Sequence, residues 1–235
     1  MVDRKRILGD KLATRPLHFI WLCDCSGSMA GSKIQTLNTA IREAIPHMQR
    51  VADENPFADV LVRTITFSDG AMWQNVQPTP VVDFKWTDLR ADGVTDMGKA
   101  LSMVAEQLKI PPMTERALPP VLVLISDGQP TDDFASGLKA LMDQPWGKKA
   151  MRLAIAIGVD AQTPEVQEVF QRFIGNPELK PLAANNPEAL INRIKWASTV
   201  VLKNVSTPKD QAQGQQAPIP IPLPADDPSL ANPIW

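Results

Sequence analysis

Oxygen-bearing side chains follow directly after a short apolar run near the start of the chain. The run Phe19–Cys23 has the composition of a strand buried on both faces, and it ends at the carboxylate of Asp24. Ser26 and Ser28 follow at alternate positions, with Gly27 between them. These side chains offer only oxygen atoms, which are the ligands that hard cations such as Mg²⁺ prefer. The stretch therefore predicts a cation-binding loop at the end of a buried strand.

Two further residues, from other parts of the chain, also carry oxygen atoms that can bind a hard cation. Thr95 opens a helical pattern after a glycine-containing loop, and Asp127 follows the apolar run Val121–Ile125. In an open α/β sheet, the loops at the carboxyl ends of the strands meet at one edge, where ligands bind. We therefore predict one site for Mg²⁺ or Mn²⁺ with five ligands: Asp24, Ser26, Ser28, Thr95 and Asp127. An open coordination position could accept a carboxylate from a partner, which is binding chemistry without proton transfer.

The remaining acids near these loops are predicted to act as turn and helix-capping residues. Asp96 is the best candidate among them for an outer position behind the ligands. The others are Asp69, Asp92, Asp132 and Asp133.

Strand and helix patterns alternate from residue 15 to residue 203. Buried strands are predicted at Leu17–Asp24, Ala58–Phe67, Val121–Ile125 and Met151–Gly158, with a short one near Leu182. A tight turn before Ala71–Val76 makes that segment an antiparallel edge strand. This order predicts an α/β fold with a doubly wound, mostly parallel central sheet, helices on both faces and one short antiparallel edge strand.

The helix between the first two strands contains a proline. Its apolar positions repeat with helical spacing over Ser32–Ala52, and Pro46 lies inside that pattern. Because proline lacks an amide hydrogen and clashes with the preceding turn, we predict a kink or an interruption near Arg42.

The pattern divides the chain into three parts: an N-terminal arm at 1–15, one domain at 16–204 and a tail at 205–235. The tail is rich in Pro and Gln, which predicts a flexible or extended segment. The alternative is that its tip, Ile234–Trp235, docks into a partner groove.

Composition excludes several classes of function. The chain has 24 Lys and Arg against 26 Asp and Glu, so no basic excess favours nucleic acid as a partner. We find no apolar run of about 18 residues that would indicate a membrane span, and no secretory signal. The two cysteines, Cys23 and Cys25, are poorly spaced for a disulfide and suit a reduced cytoplasm. Zinc would need more Cys or His ligands with local spacing than this chain offers.

The three loops together resemble a known motif. The segments Asp24–Ser28 and Ser126–Gly128, with Thr95, resemble the metal-ion-dependent adhesion site (MIDAS) of von Willebrand factor A (VWA) domains. The resemblance covers about residues 15–203. It implies that Ser26, Ser28 and Thr95 are inner ligands, and that the two aspartates act directly or through water.

The amino-acid sequences of four segments resemble, more specifically, those of bacterial VWA proteins associated with tellurium resistance. Such proteins are often found beside a protein kinase and a metal-dependent phosphatase. The resemblance thus implies a cytoplasmic interaction module in a tellurium-resistance or stress-response system. The four segments are Asp24–Met29, Ile65–Phe67, Thr95–Leu101 and Ser126–Thr131.

We predict that the chain is not an enzyme and binds a partner protein through a Glu or Asp of that partner. The first alternative is a Mg²⁺-dependent phosphohydrolase with Asp24 as nucleophile. That class typically has a second acid two residues later, where this chain has Ser26, and a Lys or Arg for the phosphoryl group, for which no candidate is evident. The second alternative is a scaffold whose metal site is dispensable.

Overall fold

The computed structural model describes residues 14–206 and 234–235. Most of the predicted N-terminal arm and most of the predicted tail therefore lie outside the described residues, while Arg15, which was assigned to the arm, is the first residue of the first strand. Seven strands form one sheet, and they are β1 Arg15–Asp24, β2 Ala58–Ser68, β3 Gly70–Trp73, β4 Thr79–Pro80, β5 Val121–Ser126, β6 Met151–Ile157 and β7 Leu182–Ala184.

Helices connect these strands. They are α1 Ser32–Asp53, α2 Met97–Gln107, α3 Phe134–Asp143, α4 Pro145–Lys149, α5 Pro164–Ile174, α6 Pro187–Trp196 and, after a π-helical turn at Ala197–Val201, α7 Leu202–Ser206. Short 3₁₀ turns lie at Gly27–Met29 and Asp160–Gln162. None of the helices in the described part of the chain has the length and apolar character needed to cross a membrane.

The strand order confirms the predicted fold class. The order is β3-β2-β1-β5-β6-β7, and β4 also pairs with β2. Strands β2, β1, β5, β6 and β7 are parallel neighbours, while β3 and the two-residue β4 run antiparallel to β2. After β1, the chain adds strands on one side of β1 in the sheet, and from β5 onwards it adds them on the other side. The carboxyl ends of β1 and β5 therefore form the topological switch point, where such sheets bind ligands.

Alternate residues of β1 supply the two cores that hold the helices on the sheet. Phe19 and Trp21 pack with α1 and α6 on one face. Ile20 and Leu22 pack with α2 and α5 on the other face. Because β1 is covered on both sides, its last residue is fixed at the centre of the sheet edge.

Helix α1 is not interrupted at Pro46. It runs as a single α-helix over 22 residues with Pro46 inside it. Fully buried side chains lie on both sides of the proline, including Ile41 and Met48. We attribute the continuity to this packing, because most helix stability in proteins comes from the buried face.

Candidate metal centre

The carboxylate of Asp24 is completely buried at the end of β1. It accepts hydrogen bonds from the Ser26 amide at 2.8 Å and from the Ser126 hydroxyl at 2.5 Å. Burial raises the pKa of Asp24 from its ordinary value of 3.8 to about 6; the two serines oppose the rise, and the charge of Asp127 adds to it. Within the described residues no cationic side chain forms an ion pair with Asp24. The site thus contains a buried carboxylate without a compensating positive charge.

Two hydroxyls connect the first loop to the end of β5. The hydroxyls of Ser26 and Ser28 lie 3.0 Å apart. Ser28 donates to Oδ1 of Asp127 at 2.7 Å, although the two residues are 99 positions apart in sequence. The short turn at Gly27–Met29 lies between these two contacts and keeps Ser26 and Ser28 on the same side of the loop. Four of the five predicted ligands are therefore linked, through Asp24, Ser26, Ser28 and Asp127.

The loop that carries the fifth predicted ligand is fastened to the first loop by its backbone. The Gly27 amide donates to the Gly93 carbonyl at 2.9 Å, and the Asp92 amide donates to the Cys25 carbonyl at 2.8 Å. Thr95 itself is 7% exposed. The sequence pattern placed the start of the helix at Thr95, but α2 begins at Met97 and Asp96 occupies its N-cap position.

Lys33 lies at the site and was missed by the sequence analysis. Its ammonium donates to Oδ2 of Asp127 at 2.6 Å, and the Asp127 side chain is only 1% exposed. The expectation that no Lys or Arg lies near the site is therefore wrong. The sequence could have indicated Lys33, because it lies in the first turn of the helix that follows Ser28. That turn starts at the sheet edge, beside the loop that carries Ser26 and Ser28.

The neighbouring acids hold loops and helix ends in place. Asp96 accepts hydrogen bonds from the Gly70 amide at 2.8 Å and from Lys99, and the Lys99 bond is the main reason that the pKa of Asp96 is lowered. Asp132 accepts from the amides of Gly98 and Lys99, both at 2.8 Å. It therefore caps α2 rather than its own helix α3. At α3 the capping residue is Asp133, whose side chain accepts a hydrogen bond from the Ser136 amide.

The donor set fits a hard divalent cation. It offers carboxylate oxygens of Asp24 and Asp127 together with the hydroxyls of Ser26, Ser28 and Thr95. The ammonium of Lys33 on Asp127 shows that this corner accepts a positive charge. No group of three or more His, Cys, Asp or Glu side chains with metal-site geometry occurs among residues 14–206 and 234–235. A cation here would therefore depend on the hydroxyls for its remaining protein ligands.

Solved VWA proteins share this fold. The ArnB paralog VWA2 from Sulfolobus acidocaldarius has 17% sequence identity and a TM-score of 0.55, over 77% of this chain and 45% of that chain. A von Willebrand factor type A protein from Catenulispora acidiphila has 16% identity and a TM-score of 0.56, over 81% of this chain and 43% of that chain. The likeness shows a VWA-type fold.

A third similar structure contains a metal. Proximal thread matrix protein 1 from the mussel byssus, in a structure with a zinc-occupied MIDAS motif, has 16% identity and a TM-score of 0.58. The match covers 82% of this chain and 48% of that one. This chain thus spans less than half the length of each of the three proteins. Comparisons with protein-family models and with curated proteins give no match.

Proposed function

We propose that this chain is a metal-dependent protein-interaction module. A divalent cation would be held by the five predicted ligands, and an acidic residue of a partner protein would complete its coordination. The cation supplies the positive charge that attracts the partner's carboxylate. The residues of this chain hold the oxygens in place and exclude bulk water from Asp24.

The observation that carries this proposal is the unpaired charge of Asp24. A carboxylate that is buried without a cationic neighbour costs stability unless a positive charge or hydrogen bonds compensate it. Ser26 and Ser126 supply hydrogen bonds, and the raised pKa indicates that these bonds compensate only in part. A cation at the adjacent oxygens would supply the missing charge.

The finer parts of the proposal concern the ion and the biological setting. Mg²⁺ suits an all-oxygen site with retained waters, and Mn²⁺ is an effective substitute in such sites. We propose a cytoplasmic setting in a tellurium-resistance or stress-response system, with a kinase or a phosphatase as the partner. These parts rest on the resemblance of the motif segments.

Direct titration of the purified protein with Mn²⁺ tests the site. We expect stoichiometric binding by electron paramagnetic resonance, and a loss of affinity of at least about tenfold in Asp24→Asn and Asp127→Asn. Asp83→Asn is the matched control, because Asp83 is an exposed acid in the loop after β4. Unchanged Mn²⁺ affinity in both site variants would refute the assigned site.

Two further assays separate the alternatives. Turnover of p-nitrophenyl phosphate with Mg²⁺ or Mn²⁺ that is lost in Asp24→Asn would replace the proposal with the phosphohydrolase. Partner capture that survives both chelator and Asp127→Ala would replace it with the scaffold. We expect no turnover, and we expect partner capture only with wild-type protein and metal.

A further inference from the structure

The tip of the tail is bound to the domain at the sheet edge that carries the candidate metal centre. The Ile234 amide donates to the carbonyl of Asn185 at 2.8 Å, and the Trp235 carbonyl accepts from the Val159 amide at 3.2 Å. The indole nitrogen of Trp235 donates to the hydroxyl of Ser32 at 2.8 Å. The tip therefore touches three separate segments: the residues after β6, those after β7, and the first residue of α1.

Gly158 lies beside both Trp235 and Lys33. Gly158 has a φ of +80°, and a Cβ atom placed on it would lie 3.6 Å from Cβ of Trp235. The same point lies 3.4 Å from Cε and 3.5 Å from Nζ of Lys33. Trp235 and the lysine that pairs with Asp127 are thus neighbours across one glycine. We call the surface formed by Ser32, Lys33, Gly158, Val159 and Asn185 the corner site.

The two residues of the tip contribute unequally. The Ile234 side chain is 70% exposed, so it contributes mainly through its backbone amide. The Trp235 ring is half-buried and packs against the hydrophobic core on the α1 and α6 face. An indole that buries its ring and donates its N–H is a typical anchor residue at a protein interface.

The observed occupant is the chain's own tip. Residues 207–233 connect Ser206 to Ile234, and a segment of that length can span up to about 90 Å when extended. Such a tether keeps the tip at an effective concentration on the order of millimolar, which favours weak contacts within one chain over contacts between chains.

We propose that Ile234–Trp235 is an intramolecular ligand of the corner site and that the docked tip shields the Lys33 side of the candidate metal centre. A protein that approaches the centre from the side of α1 and β6 meets the Trp235 ring first. The proposal does not rest on the proposed function, because the docking can be tested without metal and without a partner.

Chemical modification of Lys33 tests the shielding in the full chain. Brief acetylation in chelator is followed by mass spectrometry of wild type, Trp235→Ala and Ile234→Ala. We expect Lys33 to be modified several-fold faster in Trp235→Ala, and at nearly the wild-type rate in Ile234→Ala. Lys139 on α3, whose side chain is 76% exposed, is the internal control and should react equally in all three proteins. Equal Lys33 rates in wild type and Trp235→Ala would overturn the proposal.

Nuclear magnetic resonance distinguishes docking within one chain from docking between copies. In ¹⁵N spectra of the full chain, Trp235→Ala should shift the amides of Ser32, Gly158 and Val159 and leave the indole signal of Trp146 unchanged. The wild-type spectrum should not change on dilution. Unshifted corner-site amides would refute docking, and shifts that disappear on dilution would assign the tip to a second copy and refute an intramolecular ligand.

Discussion

Replacement of Asp24 by Asn should stabilise the protein in the absence of divalent cations. Asparagine has nearly the same shape, so its amide oxygen can accept from Ser26 and its amide nitrogen can donate to the Ser126 hydroxyl. The asparagine can therefore replace both hydrogen bonds that the native carboxylate makes. The substitution removes only the negative charge that burial disfavours.

The size of the gain follows from the pKa of Asp24. Its rise from 3.8 to about 6 means that the folded state binds this proton more tightly than the unfolded state does. The free energy of unfolding therefore falls as pH increases from about 4 to about 6, by about 3 kcal/mol in total at 1.36 kcal/mol per pH unit. Asp24→Asn should gain up to that amount near pH 8 and only about 0.5 kcal/mol near pH 4.

Urea unfolding followed by circular dichroism measures this difference. Wild type, Asp24→Asn and the exposed control Asp83→Asn are compared in chelator near pH 8 and near pH 4. At one fixed Mn²⁺ concentration, wild type should be stabilised more than Asp24→Asn, because the variant binds the cation more weakly. If Asp24→Asn in chelator is no more stable than wild type near pH 8, or if its gain is the same at both pH values, then burial of an uncompensated charge is the wrong explanation.

Three further predictions concern other parts of the structure. Lys33→Ala should tighten Mn²⁺ binding in calorimetry about two- to tenfold, because the ammonium no longer competes for Asp127; weaker binding would contradict this competition. Gly98→Ala should lower the free energy of unfolding by about 1–3 kcal/mol, because the added Cβ would lie 2.4 Å from a backbone oxygen at the start of α3. Gly128→Ala is the control and should be nearly neutral, because a Cβ at Gly128 would have no neighbour within 4 Å. Proton NMR titration of His18 should give a pKa of about 4, because burial and then the charge of Arg63 disfavour its protonation; a value near 6.5 would refute that.

Local patterns in the sequence were sufficient for the fold class. Each buried strand appears as an apolar run, and the longer helices appear as repeats near 3.6 residues, so the alternation of strands and helices is evident from the sequence. The five-residue helix α4 is too short to show such a repeat and was not predicted. The serine and aspartate positions were also visible, because they directly follow or open such elements. Both signals depend on neighbours in sequence.

Contacts between distant residues were decided by the tertiary structure. Lys33 is paired with Asp127, 94 positions away, because the first turn of α1 leaves the sheet beside the end of β5. Asp132 caps α2 rather than α3, because the first turn of α2 presents unpaired amides to it. Pro46 remains inside a continuous helix, which we attribute to the packed face.

At the tip of the tail, the sequence determined the type of residue and the tertiary structure determined its contacts. The sequence determined that Ile234–Trp235 is an apolar and aromatic pair suited to a groove. It did not specify which groove, because the contacts come from Ser32, Val159 and Asn185, which belong to three segments far apart in the chain. Only the folded sheet edge brings these segments together beside Gly158, which is a neighbour of both Trp235 and Lys33.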